Sequence, residues 1–534
     1  MNIKLTKPFQ EDTTSHGNTQ TNTMNTTNTI PTPTPEQQTC IEAIGQRNKN
    51  LVIQAVAGAG KSWTLLESIR HAVFELNVDP NKIAIMVFNK SIKEELRFKL
   101  NQLGLHSVTV NTRHGYGLEA IRLLNPRINV NPNKTRDIAK QVIQYYSAPF
   151  TAIASVSKLV NLAKDQGIGW NTDIQDRKAW YDLIIKQDVE IEDENYSIDD
   201  LIRHSIEVLT KSNLDTTTCD FPDMVYWPLL KNLRLLRQFD ILLIDEAQDT
   251  NVTGRGLAKA LLSINGTLTA VGDDWQAIYG FAGADNDSLD IIKREFSAEE
   301  LWLSVCFRCS KSVISHAQQI MPRIQPAPSA PEGSVTSIDY LEFLKLTPDK
   351  TSAILCRKNA PLMSLAFSFL RRGIACRIEG RDIGQNLIKL CKKWKVRSLN
   401  ELISRLETYR EKEIQKFMAN GQEQSADQLN DQLDCLLSLC DRAREVDPSI
   451  EGLIRLIESM FTDSVTGQPQ TTLTLSSVHK AKGREWPTVY LLGRDTLMPS
   501  KFARQDWQKE QELHLIYVAI TRAKLDLIEV TNIE

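Results

Sequence analysis

The run Ala55-Val56-Ala57-Gly58-Ala59-Gly60-Lys61-Ser62 follows directly on the apolar segment Leu51 to Ala55 and crowds small residues ahead of a lysine and a hydroxyl. Small residues let backbone amides curl round a polyphosphate at a helix N-terminus. Ala57, Gly58, Ala59 and Gly60 are therefore candidates for a phosphate cradle, Lys61 supplies a point charge, and the Ser62 hydroxyl can reach Mg2+. Ala55 stands where the usual GxxxxGK[ST] pattern has its first glycine. A second chemical group lies in Phe239-Asp240-Ile241-Leu242-Leu243-Ile244-Asp245-Glu246-Ala247-Gln248-Asp249. A buried strand that delivers two adjacent carboxylates suits a metal-bound water on Asp245 and a general base on Glu246 aimed at an attacking water. Adjacent acids can also cap a helix, and a small-residue run can be a plain strand-to-helix turn. Only an ATPase that uses Mg2+ accounts for both together.

Such groups need parallel strands to hold them. From Thr34 onward short β-branched runs alternate with amphipathic stretches, the pattern of βα units in an α/β fold with parallel sheets. Strands are expected at Leu51 to Ala55, Ile83 to Phe88, Ile241 to Ile244, Leu268 to Val271, Ser352 to Cys356, Leu473 to Val478 and Thr488 to Leu492. Two regions read as helical instead. Residues 121–235 carry Ile138, Val142, Tyr145 and Tyr146 at helical spacing and an acidic loop from Glu190 to Glu194. In residues 381–469, Leu399, Leu402, Ile403, Leu406 and Phe417 share one helix face. Asn420-Gly421 makes a turn, and Leu429, Leu433, Leu436 and Cys440 line the return. The expected organisation is two α/β domains, each interrupted by a helical insertion. Residues 34–120 and 236–300 form the first domain around insertion 121–235, and residues 301–380 and 470–534 form the second around the short insertion 381–469. Residues 1–33 are Thr/Asn-rich and lack the apolar surface to order themselves.

Composition bounds the rest. With 534 residues, 41% hydrophobic and 24% charged, and no apolar run of about 18, the chain reads as globular and not membrane-spanning. Nine scattered cysteines and an N-terminus without an apolar signal core predict free thiols and a cytoplasmic protein. A net charge of -3 excludes nucleic-acid binding by bulk basicity, so any such contact must come from a local groove.

The motifs resemble those of the UvrD/Rep-like branch of superfamily 1 DNA helicases from Thr34 to the end of the chain. Thr34-Pro35-Glu36-Gln37 looks like the family segment whose glutamine reads adenine, which assigns that role to Gln37. Asn89-Lys90 and Thr112-Arg113-His114-Gly115 look like its single-strand contact segments, so Asn89, Lys90, Thr112 and His114 are candidate nucleic-acid contacts. Asp220-Phe221-Pro222-Asp223-Met224 resembles the segment that precedes the acidic strand. In Val271-Gly272-Asp273-Asp274-Trp275-Gln276-Ala277-Ile278-Tyr279-Gly280-Phe281-Ala282, the resemblance makes Gln276 the γ-phosphate sensor and Tyr279 and Phe281 base-contacting aromatics. The family's tryptophan-arginine pair is Phe281-Ala282 here, as in the helicase IV-like subgroup, and Trp275 also fits a core aromatic. Leu303-Ser304-Val305-Cys306-Phe307-Arg308-Cys309 opens the second half, with Phe307 on adenine and Arg308 on the γ-phosphate. The family asparagine is Cys306, which creates a Cys-x-x-Cys pair without further zinc ligands nearby. In Ser477-Val478-His479-Lys480-Ala481-Lys482-Gly483-Arg484-Glu485, Glu485 is placed for the ribose and His479 and Lys480 for DNA. Leu515-Ile516-Tyr517-Val518-Ala519-Ile520-Thr521-Arg522 supplies a second γ-phosphate arginine, Arg522.

The resemblance implies two RecA-like P-loop NTPase domains with ATP and Mg2+ between them. It also implies 3′ to 5′ movement on single-stranded or tailed duplex DNA with strand separation, by a monomer. The alternatives are a nucleotide-gated DNA-binding factor or a protein-displacing translocase without true unwinding, and RNA stays open as a substrate class.

Overall fold

The computed structural model describes residues 32–187, 189, 191, 193, 196–233, 237–278, 287–372, 374–419, 423–462, 472–500, 503 and 506–533. The tail up to residue 31, Glu190, Glu192 and Glu194 of the acidic loop, the Asn420-Gly421 turn and the aromatics Tyr279 and Phe281 lie outside the described residues. Two all-parallel sheets organise the rest. The first contains β1 (Leu51–Ala55), β2 (Ile83–Val87), β3 (Thr109–Thr112), β4 (Phe239–Ile244), β5 (Leu262–Gly272) and β6 (Glu299–Leu303), in the order β3-β2-β4-β5-β1-β6. The second contains β7 (Ser334–Asp339), β8 (Ala353–Cys356), β9 (Cys376–Glu379), β10 (Phe461–Thr462), β11 (Leu473–Ser477), β12 (Trp486–Leu492) and β13 (Ala523–Thr531). Its order is β7-β13-β12-β8-β11-β9-β10.

Both faces of each sheet are covered, which is why the strands read as nearly continuous apolar runs. Leu51, Ile53, Ile83, Ile85, Ile241 and Leu243 enter one core while the alternate residues Val52, Ala84, Met86, Leu242 and Ile244 enter another. The first of these cores does not stop at its own sheet. It continues through Ala353 and Leu355 of β8 and through Leu515–Ile520 of the helix Asp506–Ile520, so one apolar cluster joins the two halves. That helix is apolar on all sides over its last two turns and is buried there on all sides.

Helices fill the long connections. Between β3 and β4 lie Lys134–Tyr145, Ala152–Asp165, Arg177–Lys186, Ile198–Leu214 and Phe221–Leu230, with a core of their own. Val142 is fully buried in that core and Ile138 packs against it, whereas Tyr145 is 76% exposed. At the centre Lys134 reaches Asp223 at 2.8 Å, and Lys164 reaches Asp223 at 2.7 Å and Asp220 at 3.0 Å, all four groups buried. These helices dock on the first sheet through Gly117 of Arg113–Leu124. A Cβ there would stand 1.6 Å from the Met224 carbonyl oxygen, so only glycine permits the approach. Between β9 and β10 lie Arg381–Lys392, Leu399–Ala419, Glu423–Val446 and Ile450–Met460, whose buried Leu402, Leu406, Leu433 and Leu436 share a core with the outer face of the second sheet. No helix among the described residues is long and apolar enough to cross a membrane.

Candidate functional site

In parallel α/β sheets, ligand sites form beyond the C-terminal ends of the strands, and the motif residues collect there. Ala55 ends β1 in extended backbone, so its Cβ is tolerated where the usual pattern has glycine. The loop that follows needs its two glycines, because Gly58 and Gly60 both have left-handed φ, +71° and +78°. Gly58 is also pressed on the second half of the molecule. A Cβ there would lie 2.6 Å from Arg308 Cβ and 2.9 Å from Cys306 Sγ. The Phe307 N–H donates to the Gly58 carbonyl at 2.9 Å, and the Ala57 N–H donates to the Tyr517 hydroxyl at 3.0 Å. Lys61 opens the helix Lys61–Phe74, and Ser62 is its half-buried second residue.

Gln37 lies on the outer side of this loop. It is fixed by a capping box with Thr34 at the start of Pro35–Gln46, and its side-chain amide donates to the Ala59 carbonyl at 3.4 Å. Phe307 faces the loop from the other half, its ring edge 3.9 Å from where a Gly60 Cβ would be, and is 49% exposed. A flat apolar ring and a buried carboxamide thus flank the loop, a pair able to stack on a planar base and read its edge.

The acids follow β4. Lys61 Nζ is 3.2 Å from Glu246 Oε1. Burial alone would lower the Lys61 ammonium, but Glu246, Asp273 and Asp245 hold it above its ordinary value. Burial likewise works against charge on Glu246, yet Lys61, Lys482 and the Gln248 amide keep its carboxyl well below the usual range. Asp245 moves the other way: burial and the neighbouring Glu246 push it up to about 6 against the pull of Lys61. Asp273 is also pushed up to about 6 by burial. Three carboxylates thus converge on one ammonium. This excess of negative charge, with the Ser62 hydroxyl at the helix start, fits a divalent cation held by Ser62 and Asp245.

From the second half come the arginines. Arg522 is 1% exposed and donates to the Val518 carbonyl at 3.0 Å, the Arg484 carbonyl at 3.2 Å and Gln276 Oε1 at 3.4 Å. Burial and nearby Arg308 lower it to about 10, so it stays charged. Gln276 in turn donates to Asp273 at 2.6 Å, which places it between the acids of one half and the arginine of the other. Arg308 pairs with Glu485, and Glu485 also receives Lys524 at 3.2 Å.

The candidate nucleic-acid residues stand apart from this cluster. Asn89 and Lys90 follow β2, Thr112 ends β3 and His114 follows it, on the side of the sheet away from β1. Asn89 accepts from the Ile92 N–H and Thr112 from the Gly115 N–H, so both side chains act as helix caps. Lys90 is exposed. His114 is lowered to about 4 by burial and Arg113, and it meets Phe221 edge-on at 6.0 Å. His479 and Lys480 follow β11; burial, Arg357 and Lys480 lower His479 to about 3. Both histidines are therefore neutral near pH 7, which suits stacking and hydrogen bonding, not charge pairing with phosphate.

Motif spacing alone did not assign the residues that tie the halves. Lys482 donates to Asp249 at 2.8 Å and to the Gln276 carbonyl at 2.8 Å. Gln511 donates to the Ile278 carbonyl at 2.7 Å, His514 meets the Ala277 carbonyl at 3.0 Å, and its ring lies 5.3 Å from that of Trp275. Trp275 is half-buried against the shared core. Within the first half, Gln248 bridges Glu246 and the Asp273 N–H. The contacts between the halves belong to segments with a clear chemical signature, but each spans a separation no local pattern reports.

Residues 34–297 match the family model for the UvrD/REP helicase N-terminal domain, and residues 472–528 match that for the UvrD-like helicase C-terminal domain. Among curated relatives, a probable DNA helicase II homolog of Mycoplasma genitalium is 24% identical over 89% of this chain and 81% of its own length. The ATP-dependent DNA helicase Rep of Buchnera aphidicola is 27% identical over 48% of this chain and 40% of its own. The ATP-dependent DNA helicase PcrA of Leuconostoc citreum is 25% identical over 52% and 38%. The chain thus spans most of the first of these relatives and well under half of the other two. The two family models together cover more than half of the chain and enclose the phosphate loop, the acid pair and Arg522, and the chain belongs to the UvrD/REP helicase family.

Proposed function

We propose that this chain is an ATP-dependent DNA helicase that moves 3′ to 5′ on single-stranded DNA and separates duplex strands. The observation that carries the reading is the contact of Arg308 with Gly58 and of Arg522 with Gln276, which brings arginines of one half onto the phosphate loop and acid cluster of the other. In this reading Gln37 and Phe307 take the adenine, Glu485 the ribose, and the loop amides with Lys61 the phosphates. Ser62 and Asp245 would hold Mg2+, which would supply charge neutralisation at the phosphate oxygens. Glu246 accepts the proton of the attacking water. Before ATP arrives its charge is tied to Lys61 at 3.2 Å, and a γ-phosphate competes for that ammonium, so the base is released only when there is substrate to act on. Arg308 and Arg522, permanently charged and planar, stabilise the spreading negative charge. Gln276 links this event to the segment that leads into Tyr279 and Phe281, whose rings stack on DNA bases, with Asn89, Lys90, Thr112, His114, His479 and Lys480 along the strand path.

The test is steady-state ATP hydrolysis with and without single-stranded DNA or RNA, followed by unwinding of duplexes tailed at either end. The expected result is DNA-stimulated hydrolysis that depends on Mg2+, and strand separation of the 3′-tailed duplex. Stimulation without separation of either duplex would leave the nucleotide-gated or protein-displacing alternative, and stimulation by RNA alone would overturn the DNA assignment.

A further inference from the structure

Glu379 ends β9, the strand from which the chain passes into the helix that begins at Arg381, and its carboxylate is only 1% exposed. A buried charge is costly unless it is paired. Glu379 Oε1 lies 2.7 Å from the Arg484 guanidinium and 3.5 Å from that of Arg377. Arg484 belongs to the turn from Lys482 to Glu485, which joins the short helix Val478–Ala481 to β12. The turn is lightly held at its middle, where Gly483 has φ +83° and a Cβ would meet nothing within 4 Å. At its two ends the Arg484 N–H donates to the Ala481 carbonyl and the Trp486 N–H to the Arg522 carbonyl, each at 3.0 Å. The Arg484 carbonyl itself accepts from Arg522 Nη1 at 3.2 Å.

We propose that Glu379 is a positioning residue for Arg522: by fixing Arg484 it holds the turn whose carbonyl aims the Arg522 guanidinium. The consequence for turnover rests on the function proposed above, in which Arg522 meets the γ-phosphate. Arg522 also donates to Val518 and Thr521, both within one turn of its own backbone, and to Gln276 Oε1 at 3.4 Å in the other half. The Arg484 carbonyl is what ties it to a second segment of its own half. If the turn drifts, the guanidinium fork loses that reference, and a displacement of about 1 Å in a group that stabilises transition-state charge costs up to about a hundredfold in rate. Glu379 does not touch the nucleotide and acts only through Arg484. Glu485 follows Arg484 directly but is held independently by Arg308 and Lys524, so a loosened turn spares the ribose contact. The effect is therefore selective for the γ-phosphate.

Glu379→Gln in the full chain keeps the shape of the side chain and removes its charge. The expected result is a kcat for ATP hydrolysis lower by about tenfold and an affinity for ADP, which has no γ-phosphate, within about twofold of the unaltered chain. Arg484→Met removes the other end of the pair and should give the same split, and it serves if the first variant fails to fold. The double variant should be no slower than either single one, because both break one link. In the nucleotide-free protein, hydrogen exchange over residues 479–486 should quicken by about tenfold in Glu379→Gln. Unchanged kcat, unchanged exchange in that segment, ADP binding lost in step with kcat, or single losses that multiply in the double variant would each overturn the proposal. If the unaltered chain hydrolyses no ATP, the proposed function falls, while exchange over 479–486 still decides whether Glu379 holds the turn.

Discussion

Glu246 has left-handed backbone at φ 52°, a conformation that costs a non-glycine residue on the order of 1 kcal/mol and persists where neighbours overdetermine it. Here the neighbours are Lys61 and Gln248 on its carboxylate. Its charge also sets the behaviour of Asp245. A raised carboxyl pKa means the folded state holds its proton more tightly than the unfolded chain. Asp245 and Asp273, each at about 6, therefore weaken the nucleotide-free fold above that pH and cease to do so as pH falls toward the ordinary value of about 3.9. Cation binding at Asp245, as proposed above, would have the opposite sign, because only an ionised carboxylate would hold Mg2+. Affinity for the Mg-nucleotide complex should be full above about pH 6 and fall as pH drops through it. Glu246→Gln removes one cause of the rise, so in that variant the fall should move to lower pH. Fluorescent-nucleotide titrations across about pH 5 to 8 decide this, and equal midpoints in the two proteins would exclude Asp245 as the group. Tyr517 permits a second prediction at this scale. Tyr517→Phe leaves the buried Ala57 N–H without its acceptor and should lower the unfolding free energy of the nucleotide-free protein by about 1 to 3 kcal/mol. An unchanged denaturant midpoint would show that the bond contributes nothing.

Among the elements, the helices between β3 and β4 depend on the buried Lys134, Lys164, Asp220 and Asp223 cluster. Lys164 is 0% exposed and faces both aspartates, so Lys164→Ala strands buried carboxylates. The expected loss is about 3 to 5 kcal/mol, seen as earlier melting of that helical segment by hydrogen exchange while the first sheet stays protected. Uniform loss of protection across both would show that the segment does not open separately. All seven strands expected from the sequence overlap observed strands, with Phe88, Ser352 and Val478 one residue outside, because long runs buried on both faces announce themselves. The strands not anticipated have physical reasons to be quiet. Thr109–Thr112 is short, polar and at a sheet edge, while Ala523–Thr531 alternates apolar and polar residues directly after Arg522 and so lacks a continuous apolar run. Of the candidate site, the small-residue loop, the acid pair and the arginines that the structure brings together were legible because their residue types carry the chemistry. The Tyr517 to Ala57 bond was not, since it joins residues 460 apart.

At the scale of the whole molecule, Lys482 ties the second half to the first through an ion pair with Asp249 and a hydrogen bond to the Gln276 carbonyl. Lys482→Ala should leave nucleotide affinity near that of the unaltered chain and reduce the factor by which DNA stimulates ATP hydrolysis, by about fivefold or more. Nucleotide titration beside hydrolysis at saturating DNA separates the two effects, and an unchanged stimulation factor would remove Lys482 from the coupling. The position of β13 has another consequence. It follows every other strand in the chain yet lies inside its sheet, between β7 and β12. As the polypeptide emerges from the ribosome, β7 has no partner until β13 is made, so the strand at the rim of the second sheet waits unpaired through synthesis of nearly 190 residues. Once β12 is made, the nascent chain presents two open strand edges, those of β7 and β12, until β13 fills the gap, so completion of the second half waits on a single strand.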